Sequence, residues 1–85
     1  MTFELIFDEE AIDFLNDLPK EIKERIFTKI KNTKENPFHF FERLEQRTDY
    51  KLRIGDYRAI ADIDESSNKI KITNIGHRKN IYKNI

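Results

Sequence analysis

The sequence predicts an α+β domain in which an N-terminal strand and a helical hairpin precede an antiparallel β-meander. Between residues 11 and 30, apolar residues recur every three or four positions, which is the spacing of amphipathic helices. From residue 50 to residue 75 they mostly alternate with polar residues and are interrupted by two turn sequences, which is typical of antiparallel strands. The helices are therefore expected to pack on one face of the sheet.

The first two elements are a strand and a helix. Phe3 to Phe7 is β-prone, and Asp8 is expected to cap the helix that follows. The two glutamates after Asp8 suit the positive end of the helix dipole, and Leu18-Pro19 ends the helix. The expected buried stripe has the spacing i, i+3, i+4, i+7 and comprises Ala11, Phe14, Leu15 and Leu18.

A second helix is predicted directly after the first. Pro19 suits its first turn, and the pattern extends it to about Lys34, before Asn36-Pro37 ends it. Its apolar residues recur every fourth position, at Ile22, Ile26 and Ile30. Between residues 38 and 47 the apolar residues share no clear period, so a covering loop is expected there.

Three strands make up the predicted meander. They are Tyr50 to Ile54, Tyr57 to Asp64 and Lys69 to Ile75. Gly55-Asp56, with glycine first, predicts a type II′ hairpin turn, and residues 65–68 form the second turn. The first turn places Arg53 opposite Arg58. Residues 78–85 are expected to form a short helix or a tail.

The predicted register puts three cations on one face of the hairpin. Side chains alternate along a strand, so Lys51, Arg53 and Arg58 share a face with no carboxylate among them. The opposite face is apolar, and the two helices must cover it, which leaves the cationic face open. Like charges directly opposite one another are destabilising unless an anion lies between them, and a phosphate would meet that need.

The zero net charge hides a difference between the two halves of the chain. Residues 1–40 carry nine acidic and six basic side chains, whereas residues 41–85 carry seven acidic and ten basic ones. The segment after the third strand is expected to bring His77, Arg78 and Tyr82 to the rim of the open face. A basic surface of this kind favours a polyanionic partner.

The composition excludes several classes of protein. The 85 residues suffice for one small domain, residues 1–85. The absence of cysteine excludes disulfides and thiolate sites, and His39 and His77 lie too far apart in sequence for a recognisable metal motif. Neither a metal nor a cofactor is expected. The sequence has no signal-peptide pattern and no apolar run near the ~20 residues of a membrane helix, so a cytoplasmic location is expected.

The chain resembles the RelE/ParE superfamily of toxins and, within it, the RelE-type messenger-RNA interferases. The resemblance spans nearly the whole length and rests on Tyr50 to Arg53, Gly55 to Arg58, and Gly76-His77-Arg78 followed by Tyr82. It implies a compact, microbial-RNase-like fold and a metal-independent endoribonuclease that cleaves mRNA in the ribosomal A site. It also implies a cognate RelB-type antitoxin that neutralises the toxin in a hetero-oligomer.

The resemblance further implies roles for individual residues. Lys51 and Arg53 stand where this family keeps two basic residues two positions apart. Arg58 stands at the position of the phosphate-binding arginine, Arg78 at that of a second arginine, and Tyr82 at that of a C-terminal tyrosine. This chain has arginine at the second basic position, where the best-known members have lysine, and a shorter interval before the tyrosine.

The chemistry of RNA cleavage suits these residue types. RNA supplies its own 2′-hydroxyl nucleophile, so cleavage needs a base, cations for the phosphate and an acid for the departing oxygen. Lys51 is a candidate base because nearby arginines disfavour the charged form of a lysine, and arginine is suited to holding phosphate. His77 is an alternative acid or base. Tyr82, or Tyr50 in its place, would stack on a nucleobase.

Other interpretations stay open. A ParE-type member would inhibit DNA gyrase by binding and would have no nuclease activity, and a non-enzymatic RNA-binding module is a further alternative. The cations could be the solvated side of an amphipathic strand, and Tyr82 could anchor the tail in the core. Phe27 falls off the apolar stripe of the second helix, which makes it a candidate contact for the antitoxin.

Overall fold

The computed structural model describes residues 2–83 and 85, which form five strands, three α-helices and one 3₁₀ turn. In chain order the elements are β1 (Glu4–Phe7), α1 (Glu9–Asn16), α2 (Lys20–Lys31), α3 (Pro37–Phe40), β2 (Glu42–Arg43), β3 (Tyr50–Ile54), β4 (Tyr57–Asp64), β5 (Lys69–His77) and the 3₁₀ turn (Ile81–Lys83). The predicted α+β class and the three-stranded meander are confirmed. None of the helices in the described residues is long and apolar enough to cross a membrane.

The strands form one sheet in the order β1-β5-β4-β3-β2. The meander strands pair antiparallel, whereas β1 pairs parallel with β5 through contacts such as Leu5 opposite Ile70. A bulge between Ile60 and Ala61 interrupts the register of β4 with β5. The parallel pairing places the first strand of the chain beside the last, with both helices in the connection.

The two helices cover one face of the sheet, as predicted. The buried cluster on this face comprises Ala11, Leu15, Ile26, Ile30, Phe41, Leu52, Ile54, Ala59, Ala61, Ile70, Ile72 and Ile75.

The start and end of the helical pair differ from the prediction. Asp8 lies at the N-cap position of α1 but makes no capping hydrogen bond, and its carboxylate lies 3.7 Å from Nζ of Lys71. The hydroxyl of Thr33 donates to the carbonyl of Ile30 at the end of α2, which ends at Lys31.

The prediction of a loop from residue 38 to residue 47 is wrong in two places. Pro37 begins the one-turn helix α3, which is too short to show a helical period in the sequence. Its Phe38 packs edge-on against both Phe3 and Tyr50, with ring centroids 6.4 and 5.6 Å away. The strand β2 then pairs with the start of β3, placing Glu42 opposite Lys51. A two-residue strand is visible only through its partner.

The second face of the sheet is not entirely open, in contrast to the prediction. Ile60 on this face is fully buried, and Ile81 of the 3₁₀ turn is 3% exposed, although neither belongs to the cluster under the helices. A Cβ added at Gly76, which pairs with Arg58, would lie 2.9 Å from Cδ1 of Ile81. The C-terminal turn therefore covers the part of this face that lies over Gly76.

Candidate nucleic-acid interface

The β3–β4 hairpin has the predicted geometry. Ile54 pairs with Tyr57, and Arg53 pairs with Arg58. Of the two turn residues, Gly55 has a positive φ of 59°, and Asp56 does not, which is the pattern of a type II′ turn. Paired residues share a face of the sheet, so the two arginines project from the same side as Lys51.

Arg58 is hydrogen-bonded to the backbone of this turn. Its Nη1 donates to the carbonyl oxygens of Gly55 and Tyr57, both at 2.7 Å. A guanidinium has five N–H groups, and these bonds use only one of its nitrogens. Arg58 forms no ion pair with a carboxylate among the described residues. The turn thus holds the side chain while its charge stays unneutralised.

Arg78 is attached to the same turn. Its backbone N–H donates to the carbonyl of Asp56 at 2.8 Å, and its Nε lies 3.6 Å from the Asp56 carboxylate. Both side chains are more than half exposed, so this ion pair is weak and open to replacement by another anion. The turn therefore brings together Arg58 and Arg78, which are 20 residues apart in the sequence.

Lys51 and Tyr82 lie at a neighbouring groove. Both line a depression of about 370 Å³, together with Leu44, Glu45, Arg47 and Ile85. Lys51 is half-buried, and Tyr82 is 45% exposed. The tyrosine is therefore available at the surface, and the adjacent Ile81 takes the anchoring role that the sequence left open for it.

Arg53 lies at the border of a second groove. It is exposed, and with the end of β3 it lines a groove of about 660 Å³ against α2, which contributes Glu21, Glu24 and Arg25 among others. Arg53 pairs with Arg58 and forms no ion pair with either of these two carboxylates.

His77 does not join the predicted cationic face. Strand β5 continues to His77, which pairs with Tyr57 on the side covered by the helices. The two rings lie 5.8 Å apart, and Tyr57 in turn contacts Phe14 of α1. Nδ1 of His77 accepts a hydrogen bond from the backbone N–H of Lys79 at 3.2 Å. The expectation that this imidazole converges with the cations on one surface is wrong.

Arg47 is a cation beside the site that the sequence interpretation did not single out. It lines the groove of Lys51 and Tyr82, but its Nε and Nη2 donate to the two carboxylate oxygens of Asp49 at 2.9 and 2.8 Å. These hydrogen bonds raise the pKa of Arg47 above its ordinary value, so the guanidinium remains charged. The opposite charges two residues apart were the available signal. Asp49 therefore already accepts the two N–H bonds, from Nε and Nη2, that Arg47 could otherwise donate to a phosphate.

A metal site is not formed by the described residues: residues 2–83 and 85 contain no group of three or more His, Cys, Asp or Glu side chains placed to hold an ion. This surface offers a lysine, three arginines and a phenol, and three carboxylates lie among them, in contrast to the prediction: Glu42 opposite Lys51, Glu45 in the groove and Asp56 beside Arg78. Such a surface suits a phosphate-bearing ligand with an unpaired base.

Comparison with known proteins identifies the family. A model of the ParE toxin of the type II toxin-antitoxin system, parDE, matches residues 5–82. The chain belongs to this toxin family. The expected membership in the RelE/ParE superfamily is thereby confirmed, and the protein is a toxin of a type II toxin-antitoxin system. No curated protein matches the chain.

Solved toxin structures share the fold. A chain of the RelBE2 toxin-antitoxin complex from Mycobacterium tuberculosis is similar with a TM-score of 0.81 and 22% identity, covering 92% of this toxin and 100% of that chain. The archaeal RelE-RelB complex from Pyrococcus horikoshii OT3 gives 0.78 and 26%, covering 92% and 97%. The YoeB/ParE toxin from Agrobacterium tumefaciens gives 0.72 and 19%, covering 88% and 98%. Both RelE and ParE names occur among these similar proteins.

Proposed function

We propose that this toxin is a metal-independent endoribonuclease that cleaves mRNA in the ribosomal A site and so stops translation. The observation that carries the proposal is the attachment of Arg58 and Arg78 to one hairpin turn, beside Lys51 and Arg53 on the same sheet. A toxin that acts only by binding gyrase has no need for a cluster of cations suited to holding a phosphate. The structural similarity to RelE toxins also supports nuclease activity.

In the proposed reaction the RNA supplies the nucleophile. The 2′-oxygen forms a bond to phosphorus, the bond from phosphorus to the 5′-oxygen breaks, and the products are a 2′,3′-cyclic phosphate and a 5′-hydroxyl. Lys51 accepts the proton of the 2′-hydroxyl, and Arg58 and Arg78 stabilise the charge that develops on the phosphate. Tyr82 stacks on an adjacent base, and the departing oxygen takes a proton from Tyr82 or from water.

The proposal includes a cognate antitoxin of the RelB type in a hetero-oligomer with the toxin in the cytoplasm. The similar structures from M. tuberculosis and P. horikoshii are themselves toxin-antitoxin complexes. On this chain, Ile12 and Phe27 are 43% and 44% exposed and line an apolar cleft with Phe7, whose ring stacks on that of Phe27. An amphipathic helix would cover this surface. Size-exclusion chromatography of the toxin with the product of the adjacent gene tests it, and separate elution would contradict the pairing.

A second function is favoured by the family match itself, whose description names ParE. A ParE-type toxin would inhibit DNA gyrase and leave RNA intact. Radiolabelled methionine and thymidine, followed separately after induction, distinguish the two functions. A primary loss of methionine incorporation is expected, and a primary loss of thymidine incorporation with translation intact would favour gyrase inhibition.

The nuclease activity is tested directly on programmed ribosomes. Primer extension on the mRNA is expected to show new 5′ ends at the A-site codon after addition of purified toxin. Ribosomes carrying the same mRNA without toxin control for nuclease contamination. Intact mRNA at stoichiometric toxin would contradict the proposal.

A further inference from the structure

Among the described residues that follow β5, Ile81 is the one buried side chain. Arg78, Lys79, Asn80 and Lys83 are exposed and Tyr82 is 45% exposed, whereas Ile81 is 3% exposed. Two local hydrogen bonds shape its 3₁₀ turn. The backbone N–H of Asn80 donates to the carbonyl of His77 at 2.9 Å, and that of Lys83 donates to the carbonyl of Asn80 at 3.1 Å. Ile81 is therefore the side chain by which this turn packs on the sheet.

Ile81 packs over Gly76, in the space that a side chain at position 76 would occupy. A Cβ at Gly76 would lie 2.9 Å from Cδ1 of Ile81, closer than real contacts allow, so the end of this side chain would have to shift; the Cβ of Ile81, at 3.5 Å, would be in ordinary van der Waals contact. The φ of Gly76 is not in the left-handed region, so an added methyl group here would meet the Ile81 side chain and would not strain the backbone. Gly76 pairs with Arg58, which puts the contact on the cationic face.

The contact lies next to the groove that contains Lys51. Tyr82 directly follows Ile81 and shares that groove with Lys51. Moving Ile81 would therefore move Tyr82 relative to Lys51. A displacement of about 1 Å at a reacting group can cost up to about 10²-fold in rate.

We propose that the close fit of Ile81 against Gly76 positions Tyr82 beside Lys51, which makes Ile81 a positioning residue for RNA cleavage. The proposal rests on the function proposed above. It assigns Ile81 no contact with the substrate. Its effect passes through Tyr82, and this distinguishes it from a side chain that merely stabilises the fold.

A size exchange across the contact tests the fit. Gly76→Ala is expected to lower the rate of mRNA cleavage roughly 10- to 10²-fold by displacing Ile81. Ile81→Val removes Cδ1, the atom that the new methyl group would meet, so Gly76→Ala with Ile81→Val is expected to recover most of the lost rate. No recovery in a double variant that is as thermally stable as Gly76→Ala would overturn the proposal.

Dependence on Tyr82 is tested by a second pair of variants. Ile81→Ala is expected to reduce cleavage in the wild-type background and to cause no further reduction in Tyr82→Ala, because both changes remove the same contribution. Equal fold losses in the two backgrounds would show that Ile81 acts without Tyr82.

Fluorine NMR separates failure of this inference from failure of the proposed nuclease function. In toxin labelled with 3-fluorotyrosine, Ile81→Ala is expected to shift the Tyr82 resonance and leave those of Tyr50 and Tyr57 in place. An unmoved Tyr82 resonance overturns the positioning role, whether or not RNA is cleaved. A shifted resonance in a toxin whose wild type cleaves no mRNA supports the placement of Tyr82 and contradicts the nuclease.

Discussion

The two hairpin turns at opposite ends of β4 satisfy their polar groups in different ways. In the β4–β5 turn, the Asp64 carboxylate accepts hydrogen bonds from the backbone N–H and hydroxyl of Ser66 and from the hydroxyl of Ser67, at 3.0, 2.7 and 2.8 Å. The hydrogen bonds of this carboxylate thus stay within its own turn. At the β3–β4 turn, the acceptors are backbone carbonyls. The side chain of Arg58 donates to the carbonyls of Gly55 and Tyr57. The backbone N–H of Arg78, which follows β5, donates to the carbonyl of Asp56.

The difference separates a turn that closes a strand pair from a turn that organises a site. The Asp64 carboxylate accepts hydrogen bonds from donors of its own turn and forms no ion pair with any of the described cations. Carbonyl oxygens carry only partial charge, so they orient a guanidinium without neutralising it. Arg58 therefore keeps its full charge for a ligand, in contrast to Arg47, whose charge is paired with Asp49.

The sharpest test removes both arginines from the β3–β4 turn. The double variant Arg58→Ala, Arg78→Ala is expected to lose roughly 2 to 4 kcal/mol of transition-state stabilisation for each strong contact, or roughly 10² to 10³ in cleavage rate per arginine. Folding should survive, because Arg78 is exposed and Arg58 is only half-buried. Primer extension on programmed ribosomes measures the rate.

A matched control removes one positive charge at the other turn. Lys69 is exposed and pairs with Asp64, so Lys69→Ala changes net charge without touching the proposed site. Its cleavage rate should equal that of the wild type. An undiminished rate in the double arginine variant would move the site away from the β3–β4 turn.

The next largest effect concerns the backbone of the two turns. Gly55 has φ 59° and Asn68 has φ 55°, so each turn contains one residue in the positive region. Gly55→Ala meets no atom within 4 Å, so its cost is purely conformational and is expected to be ~1 kcal/mol or more. For a domain of this size the melting temperature should fall by at least ~4 °C.

Asn68→Gly is the matched comparison for Gly55→Ala. Asparagine tolerates the left-handed region, and glycine fits it as well, so the conformational cost of Asn68→Gly is expected to be smaller than that of Gly55→Ala. Thermal unfolding followed by circular dichroism measures both variants. Equal melting temperatures for Gly55→Ala and the wild type would show that the turn does not require glycine.

A smaller effect is expected from the carboxylate beside Arg78. Asp56→Asn removes the ion pair at 3.6 Å but keeps the backbone carbonyl that accepts from Arg78. Because exposed ion pairs are weak, the KM for RNA should fall only roughly two- to fivefold, with kcat little changed. Steady-state cleavage of ribosome-bound mRNA gives both constants. A higher KM would mean that Asp56 orients Arg78 more than it competes for it.

Local patterns predicted the meander well, and the errors lie where tertiary contacts decide. Alternation and the Gly55-Asp56 turn are local, so the Arg53/Arg58 pair was correctly predicted. The predicted third strand stopped at Ile75, whereas β5 continues to His77, and the extra alternation places the imidazole on the helix side. The parallel β1–β5 pair and the Ile81 contact join segments that no local period connects.

The smallest expected effect lies at the self-contained β4–β5 turn. The Ser66 hydroxyl is the main cause that lowers the pKa of Asp64, followed by that of Ser67. A lowered carboxyl pKa stabilises the fold above the pKa of the unfolded chain, and this stabilisation is lost as pH falls through the folded-state value. Ser66→Ala should therefore raise the pKa of Asp64, and the melting temperatures of variant and wild type should differ most near neutral pH and converge in acid. Carbon-13 NMR of the Asp64 carboxyl measures the pKa. Ser67→Ala should raise this pKa less than Ser66→Ala does. RNA cleavage should be unchanged in both variants. An Asp64 titration that is identical in Ser66→Ala and wild type would contradict the closed hydrogen bonding that distinguishes this turn from the one holding Arg58 and Arg78.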